Sequence, residues 1–505
     1  MVRFVRLTPA VSGRLRSRRA PGGYLTLALT LILSVTLPLI MMMFQGARNN
    51  AARMDTAYAY DAAMDAILSE YNRELLKQYD VFFVDMGYGE DRLGPAALEA
   101  RIKYYMDGNF SSKGNGIPSL ARCFYRMNTD GVKVNGYSVL TDEKGQVFRR
   151  QAEDFIADLD GLDLLPISSF GNNSEELTRG RYLTDEVSRR RDENQRRIDS
   201  IELPKTTDEN GNEHTVELDN PADSVSGIRS QGGGGSGFLP YVTNLSAVSH
   251  AGLNVPGGPV SWRVLQKGDG LNKELSWGSE GVLRKAEFYQ YLAMKASDFT
   301  KNEEKNDMKY QLEYILEGEE NDYTNLRKVV TKLVFMREMA NVVYIFADEG
   351  KKGFCRAIAM ALAAVTLCPE LTEPVTTSLL FAWAFIESLN DVKILLAGER
   401  LPIRKTAATW RTGFWQILNP RGLPGGSGGA SGGLSYREYL MAMIFLQDIG
   451  QTTMRFLDMA ECDIRKAPEG SSFFMDRCID SFDATVLTRS SAGSTFRETR
   501  RYGYP

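Results

Sequence analysis

A long uncharged apolar stretch followed directly by an amphipathic pattern marks the N-terminal part of the chain. Residues 24–44 are 21 positions without a charged side chain. A helix of this length spans roughly 30 Å, which matches the hydrocarbon thickness of a bilayer. A secretory signal has a shorter apolar core, of about 7 to 15 residues, and a small-residue cleavage site after it. The pattern therefore predicts a transmembrane helix over residues 24–44.

The amphipathic pattern continues the helix beyond the apolar stretch. Ala47, Ala51, Met54 and Tyr58 recur at spacings of four, three and four residues, which places them on one helical face. We expect the span and this stalk to form one long helix, and we interpret the four residues as an interface that packs on another helix. That helix belongs either to a second protein chain or to this chain's own helical bundle, and the spacing fits both.

Much of the later pattern predicts helices that pack together. The segment Val329–Ala347 carries apolar side chains at alternating spacings of four and three residues, which is typical of a bundle helix. Near the C-terminus, Ser435 and Glu438 have the spacing of a capping box. They predict the start of an apolar helix that continues to Ala460.

Two shorter apolar stretches predict a helical hairpin. Ala357–Cys368 and Val375–Ile386 are separated by a proline-bounded turn, and each is too short to cross a bilayer. We expect them to form a buried hairpin inside the bundle. The alternative is a hairpin that lies against a membrane surface, with Phe381, Trp383 and Phe385 at the interface.

Two segments carry the residue pattern of β-strands. Residues 131–148 contain β-branched and aromatic positions between turn signals, which predicts one or two strands, and Cys478–Tyr504 predicts a β-hairpin. Because an isolated hairpin is marginal in water, we expect both segments to pair in one antiparallel sheet. The predicted fold class is mainly α with a small antiparallel sheet (α+β), in which a long transmembrane and stalk helix precedes a helical extracytoplasmic bundle.

Two glycine-rich stretches divide the chain beyond the stalk. Residues 202–237 are polar and end in a glycine run, and residues 424–433 consist of Gly, Ser and Ala after one Pro. Such compositions bury too little apolar surface to offset ordering entropy, so we interpret both as flexible linkers. The predicted organisation is a cytoplasmic basic segment (1–23), the transmembrane helix (24–44), the stalk helix with a small αβ region (45–150), charged helices with a flexible linker (151–237), the helical bundle (238–423), a Gly/Ser linker (424–433), and a C-terminal helix with a β-hairpin (434–505).

The charges that flank the apolar stretch predict its orientation. Six arginines precede it, whereas Asp55, Asp61 and Asp65 follow soon after it. Positively charged flanks stay on the cytoplasmic side of a membrane. We therefore expect a single-pass protein of the cell membrane with a cytoplasmic N-terminus and an extracytoplasmic bulk. The six arginines are Arg3, Arg6, Arg14, Arg16, Arg18 and Arg19.

The overall charge and the histidine content narrow the classes of function. A net charge of −4 and a pI near 5.7 provide no basic face for nucleic acid. The only two histidines, His214 and His250, lie in or beside glycine-rich segments, and the sequence has none of the common nucleophile, zinc-protease or phosphate-loop motifs. We therefore predict no catalytic residue, no cofactor and no metal site, and we expect that the chain is not an enzyme.

The five cysteines do not form a recognisable framework. Their spacing contains no Cys-x-x-Cys pair, and their number is odd. We interpret them as buried reduced thiols, with a local disulfide between Cys462 and Cys478 as the alternative.

The first residues of the apolar helix have a specific resemblance. The sequence GGYLTLALTLIL, followed by QGARNNAARM, places a glycine, an aromatic residue and a threonine at the head of the helix. This resembles the N-terminus of TadE/TadG-like minor pilins of tight-adherence, type IV-like pilus systems. The resemblance covers about 40 residues and implies prepilin-type processing between Gly23 and Tyr24. Ala28 stands where many such pilins carry a glutamate.

Other segments resemble a second family over most of the chain. YQLEYILEG, LSYREYL and CIDSFDATV are similar to an uncharacterised family of membrane-anchored exported proteins of Gram-positive bacteria, often considered pilin-like. The combined expectation is a pseudopilin-like structural or assembly component of a Tad/type IV-like pilus or secretion apparatus. Its expected partners are the membrane and pilin-like or secretion-system proteins, with self-association as a further expectation. The alternative functions are a membrane-anchored cell-envelope enzyme and a wall-binding scaffold.

Overall fold

The computed structural model describes residues 23–89, 94–110, 126–159, 185–207, 213–215, 218–232, 234–269, 271, 282–301, 307–426, 432–467 and 470–504. Within these ranges the chain is mostly helical, with a four-stranded sheet and a separate two-stranded ribbon. The predicted fold class, mainly α with a small antiparallel sheet, is confirmed. The predicted basic segment, with its six arginines, lies outside the described residues.

The helices differ widely in length. They are α1 (Gly23–Leu68), α2 (Arg73–Tyr79), α3 (Ala96–Phe110), α4 (Asp142–Asp158), α5 (185–199), α6 (Ala222–Gln231), α7 (Leu239–Val242), α8 (Val282–Lys295), α9 (Gln311–Glu317), α10 (Asp322–Ala347), α11 (Glu349–Val365), α12 (Thr372–Leu396), α13 (Tyr436–Phe445) and α14 (Ile449–Arg465). The strands are β1 (Val84–Asp85), β2 (Met127–Val139), β3 (Lys205–Thr207), β4 (Glu213–Thr215), β5 (Cys478–Ser490) and β6 (Thr495–Gly503).

The chain forms two compact units. Unit 1 comprises the described residues of Met1–Ala66, Ala100–Lys133 and Thr485–Arg500, and so contains most of α1 and α3 and the turn end of the β5–β6 hairpin. Unit 2 comprises those of Ile67–Glu99, Val134–Ala484 and Arg501–Pro505. The predicted segment boundaries near residues 150 and 237 both fall inside unit 2.

Strand β5 is the centre of the four-stranded sheet. It pairs with β2 along one edge and with β1 and β6 along the other. At the two ends of the β2 pairing, the Leu140 N–H donates to the Cys478 carbonyl at 2.8 Å and the Ser491 N–H donates to the Arg126 carbonyl at 2.7 Å. These bonds fix an antiparallel register. The predicted pairing of the C-terminal hairpin with the strand near residue 131 is confirmed.

The core of unit 2 is a helical bundle built around α12. Almost every side chain of α12 from Leu379 to Leu396 is buried, and α10 and α11 pack on it. Side chains cap the neighbouring helices: Asn321 accepts from the Thr324 N–H at the start of α10, and Asp348 accepts from the Lys351 N–H at the start of α11. The predicted capping box at Ser435 is present at the start of α13.

The predicted helical hairpin corresponds to α11 and α12. Phe381, Trp383 and Phe385 are all buried inside the bundle. The alternative that these aromatic residues lie at a membrane interface is therefore wrong. Helix α11 is the more exposed partner, since Met360 and Val365 remain open to solvent.

Two predictions about local order need correction. The apolar helix that begins at the capping box does not continue to Ala460. It ends at Phe445, and Asp448 caps a new helix, α14. The segment 202–237 is more than a flexible linker, because it contains β3, β4 and α6. Helix α6 buries Ala222 and Val225, and this tertiary contact stabilises a helix that its polar composition alone would not.

The described cysteines are free thiols. Cys355, Cys462 and Cys478 are buried, and Cys368 is half-buried. The alternative of a Cys462–Cys478 disulfide is wrong. Burial raises the pKa of the Cys355 and Cys462 thiols to about 12, so both remain protonated and act as small apolar side chains.

Candidate functional site

Helix α1 is one continuous helix, as the sequence predicts. It runs for 46 residues, from Gly23 to Leu68, which corresponds to about 69 Å at 1.5 Å per residue. Among the described residues, α1 is the helix that is long enough and apolar enough to cross a membrane. The mean hydropathy of its most apolar 18-residue segment is 2.4. None of that segment is buried inside the protein. The predicted processing position, Gly23 and Tyr24, forms the first turn of this helix.

The polar side chains of the apolar stretch bond within the helix itself. The hydroxyl groups of Thr26, Thr30 and Ser34 donate to the carbonyls of Gly23, Leu27 and Leu31, three residues back, at distances of 2.8 to 3.0 Å. Such internal bonding satisfies polar groups where no water is present. These three hydroxyl groups therefore do not need hydrogen bonds from outside the helix, and the surface of the stretch can face lipid.

The residues of the predicted stalk interface are largely exposed. Met54 and Tyr58 are 57% and 68% exposed, Ala47 is exposed, and Ala51 is half-buried. The role of these residues as an interface, on a second chain or on this chain's own bundle, stays a prediction. The four residues form a partly apolar face that continues the exposed surface of the apolar stretch.

The opposite face of the stalk carries contacts that the sequence analysis did not predict. Ala52, Thr56 and Tyr60 are buried against the β5–β6 hairpin within unit 1. The Thr56 hydroxyl lies 3.1 Å from that of Thr488, and the Tyr60 hydroxyl donates to the Arg500 carbonyl at 3.2 Å. These residues also recur every four positions, so the same periodicity describes both faces.

Polar pairs extend this contact along the helix. Asp61 forms an ion pair of 2.7 Å with Arg500, and Arg48 donates to the Ser491 hydroxyl at 3.0 Å. The Ser494 hydroxyl donates to Asn49 Oδ1 at 3.1 Å. The hairpin therefore lies lengthwise on the stalk, with its turn near the end of the apolar stretch. The hairpin covers one side of α1, and its ion pair at Asp61 reaches the C-terminal end of the predicted interface, because Asp61 lies about two helical turns after Met54 on the same face.

Unit 2 contains a fully buried ionic cluster formed by Lys405, Glu387, Asp391 and Arg337. Lys405 Nζ lies 2.5 Å from Glu387 Oε1 and 2.6 Å from Asp391 Oδ1, and Arg337 Nη2 lies 3.0 Å from Asp391 Oδ2. Two backbone N–H groups donate to the Glu387 carboxylate at 2.9 and 2.8 Å. Burial and the nearby Asp391 carboxylate raise the pKa of Glu387. Each of these carboxylate oxygens has a partner, so removing one member of the cluster would leave a buried charge without its counterpart.

The two histidines occupy separate parts of the fold. The His250 ring stacks on Tyr323, with ring centroids 4.9 Å apart and an interplanar angle of 9°. His214 lies in β4, opposite Thr206 of β3. Among the described residues, no group of three or more His, Cys, Asp or Glu side chains is placed to hold a metal ion.

Comparison with known protein families identifies a family for this chain. A family model described as a family of unknown function (DUF5702) matches residues 211–490, which is more than half of the chain. The chain belongs to DUF5702. The DUF5702 match ends at Ser490, the last residue of β5, and leaves the apolar helix α1 outside it. No curated protein and no solved structure matches the chain. The resemblance to TadE/TadG-like pilins stays a prediction.

Proposed function

We propose that this DUF5702 chain is a non-enzymatic, membrane-anchored assembly component, pseudopilin-like, of a Tad/type IV-like pilus or secretion apparatus. In this proposal α1 spans the membrane, the N-terminus is cytoplasmic and the bulk of the chain is extracytoplasmic. The stalk face packs on a second membrane-anchored helical subunit, either another copy or a pilin-like protein. The envelope enzyme and the wall-binding scaffold stay as alternative predictions.

The continuity of the exposed surface of α1 supports the proposal. The apolar stretch is exposed along its whole length, and the exposed stalk residues Ala47, Met54 and Tyr58 follow it on the same helix. A neighbouring helix in the bilayer can therefore remain in contact beyond the membrane surface without a change of direction. Lateral packing of this kind is what assembly of a filament from membrane-embedded subunits requires.

Photo-crosslinking tests the stalk face. We expect Met54→Cys, in a background with Cys123 and Cys368 replaced by serine, to give an intermolecular product in native membranes after labelling with a maleimide benzophenone. The reason is that Met54 is exposed on the predicted face. Gel mobility and mass spectrometry would identify the product as another copy or as a second helical membrane protein.

Arg53→Cys is the matched control for the crosslinking experiment. Arg53 is exposed and adjacent in sequence, but it lies about 100° around the helix from Met54. We expect it to give at most a tenth of the Met54→Cys product. Equal yields at the two positions, or only intramolecular products at Met54→Cys, would contradict the proposal.

A reporter fusion tests the orientation. We expect alkaline phosphatase fused after Pro505 to be active, because the arginines that precede α1 favour a cytoplasmic N-terminus. Replacing all six arginines by glutamine should reduce phosphatase activity several-fold as part of the population inverts. Activity of a cytoplasmic reporter alone at the same fusion point would show the opposite orientation.

A further inference from the structure

A cleft in unit 2 lies between the charged helix α5 and the buried helices of the bundle. Its volume is about 580 Å³, and residues of α5, α6, α10 and α12 line it. This volume is within the range of small-molecule sites, which is about 300 to 1,000 Å³. The cleft is separate from the stalk face and from the buried ionic cluster around Lys405.

One wall of the cleft is apolar and aromatic. Phe335 of α10 and Phe381 and Phe385 of α12 line it, and Phe381 and Phe385 are buried. The Arg229 guanidinium lies over the rings of Phe335 and Phe385, 5.1 and 5.3 Å from their centroids. These contacts fix the position of the guanidinium at the edge of the apolar wall.

The charges in the cleft are incompletely paired. Arg229 forms a close ion pair with the buried carboxylate of Glu338. Arg191 of α5 bonds to Asp192 at 3.2 Å through Nη2, but its buried Nη1 has no hydrogen-bond partner among the described residues. Burial first, and then the neighbouring Arg229, lower the pKa of Arg191. A buried N–H donor on a cation is costly when it is unpaired, so Arg191 Nη1 needs an acceptor that the described residues do not place within hydrogen-bond distance. Glu338 Oε2 is likewise buried without a hydrogen-bond partner among them.

The rim of the cleft limits the charge of a ligand. The carboxylates of Asp192 and Asp223 lie on it. Burial, together with Asp219 and Asp199, raises the pKa of Asp223, which shows that negative charge is already concentrated on this side. Both carboxylates repel anions, and because the repulsion grows with the number of charges, they disfavour a polyanion more than a ligand with a single anionic group.

We propose that this cleft binds a small amphiphile with one anionic group, which accepts hydrogen bonds from Arg191 while its apolar part contacts the phenylalanine wall. Carboxylates and phosphodiesters share this chemistry, and arginine binds both through its planar array of donors. The site is independent of the proposed assembly function, because none of its residues belongs to the stalk.

Calorimetric titration of the full chain in lipid nanodiscs tests the site. The probes are hexanoate, dibutyl phosphate and the neutral analogue hexanamide, with empty nanodiscs as the blank. We expect saturable binding of at least one anion, and at least tenfold weaker binding of hexanamide. The anion that binds more tightly identifies the natural class as carboxylate or phosphodiester.

Two matched substitutions on α5 complete the test. Arg191→Gln should weaken binding of the anion at least tenfold, and its circular dichroism should show an unchanged fold because the side chain is partly exposed. Arg190→Gln should leave the affinity unchanged, since Arg190 is 68% exposed and pairs with Glu186. No saturable binding of either anion, equal affinity for hexanamide, or an unchanged affinity in Arg191→Gln would each overturn the proposal.

Discussion

Replacing Lys405 by methionine is expected to destabilise the chain by about 3–5 kcal/mol, the usual cost of removing one partner from a buried ion pair. Lys405 is fully buried and contacts both Glu387 and Asp391. Methionine has a similar volume but no charge, so it leaves two carboxylates in the core with Arg337 as the remaining cation near Asp391. The measurement is the free energy of unfolding from a urea titration followed by circular dichroism.

A second substitution separates the charge effect from the loss of packing. Lys405→Met combined with Glu387→Gln should recover about half of the lost stability, because the orphaned carboxylate is replaced by a neutral amide whose oxygen still accepts from one of the two backbone donors. Arg404→Met, at the neighbouring exposed position, should change stability by less than about 0.5 kcal/mol. If the double variant were no more stable than Lys405→Met alone, the cost would come from packing and our account of the cluster would be wrong.

The second large effect is a loss of stability caused by Glu313 as the pH rises from about 4.5 to about 8. Burial first, and then the Asp298 carboxylate, raise the pKa of Glu313 from 4.5 to about 8. A carboxyl whose pKa is higher in the folded state stabilises that state below the unfolded pKa, and this stabilisation is lost as the pH rises through the folded pKa. The full loss between pH 4 and pH 9 is on the order of 4 kcal/mol for a shift of this size.

The range from pH 7 to pH 8 isolates Glu313, because the buried thiols of Cys355 and Cys462, with a pKa raised from 9.0 to about 12, destabilise the folded state only as the unfolded thiols ionise near pH 9. Burial also raises the pKa of Asp458 and Asp463, but only to about 6, so both are mostly ionised above pH 7. In this range the wild-type chain should lose about 1 kcal/mol from Glu313.

Glu313→Gln keeps an oxygen to accept from Tyr436 and should abolish the loss. Glu320→Gln, at an exposed position, should retain it. An identical pH dependence of unfolding in Glu313→Gln and wild type would refute this assignment.

Local patterns in the sequence predicted the parts of the fold that depend on neighbouring residues. The long helix α1, the β5–β6 hairpin and the capping box at Ser435 each rest on signals within a few turns of chain. The pairing of β5 with β2 was also predictable, because unpaired strand edges need a partner. These features are where local preference and the final fold agree.

The sequence analysis did not predict the buried face of α10 correctly, because this face includes polar residues. The predicted stripe of α10 includes Val343, which is 60% exposed, whereas the structure buries Asn341, Val342 and Ile345. A strict seven-residue repeat drifts by about 20° per heptad on a straight helix, so the predicted face rotates out of the core. From the sequence alone, Arg337 and Asn341 would be assigned to the surface, because their buried partner, Asp391 of α12, is distant in sequence.

The candidate surfaces were predictable to different degrees. Periodicity located the stalk face, but it could not assign which side of α1 packs on this chain, because Ala52, Thr56 and Tyr60 follow the same spacing. The cleft around Arg191 gave no local signal. It forms only because α5, α6, α10 and α12 meet, and a charged helix such as α5 has the composition of an ordinary solvent-exposed segment.

The lengthwise contact between the hairpin and α1 has a mechanical consequence. Its bonds are spread along the stalk, from Asn49 with Ser494 to Asp61 with Arg500. A pull along the axis of α1 would load all of them in shear at the same time, whereas a sideways pull would peel them apart one after another. Because the bonds begin four or five residues after the apolar stretch ends at Phe44, tension from the membrane would reach the hairpin through less than two turns of free helix. In unit 1, the contacts of β5 and β6 with the stalk would therefore share an axial load along this part of α1.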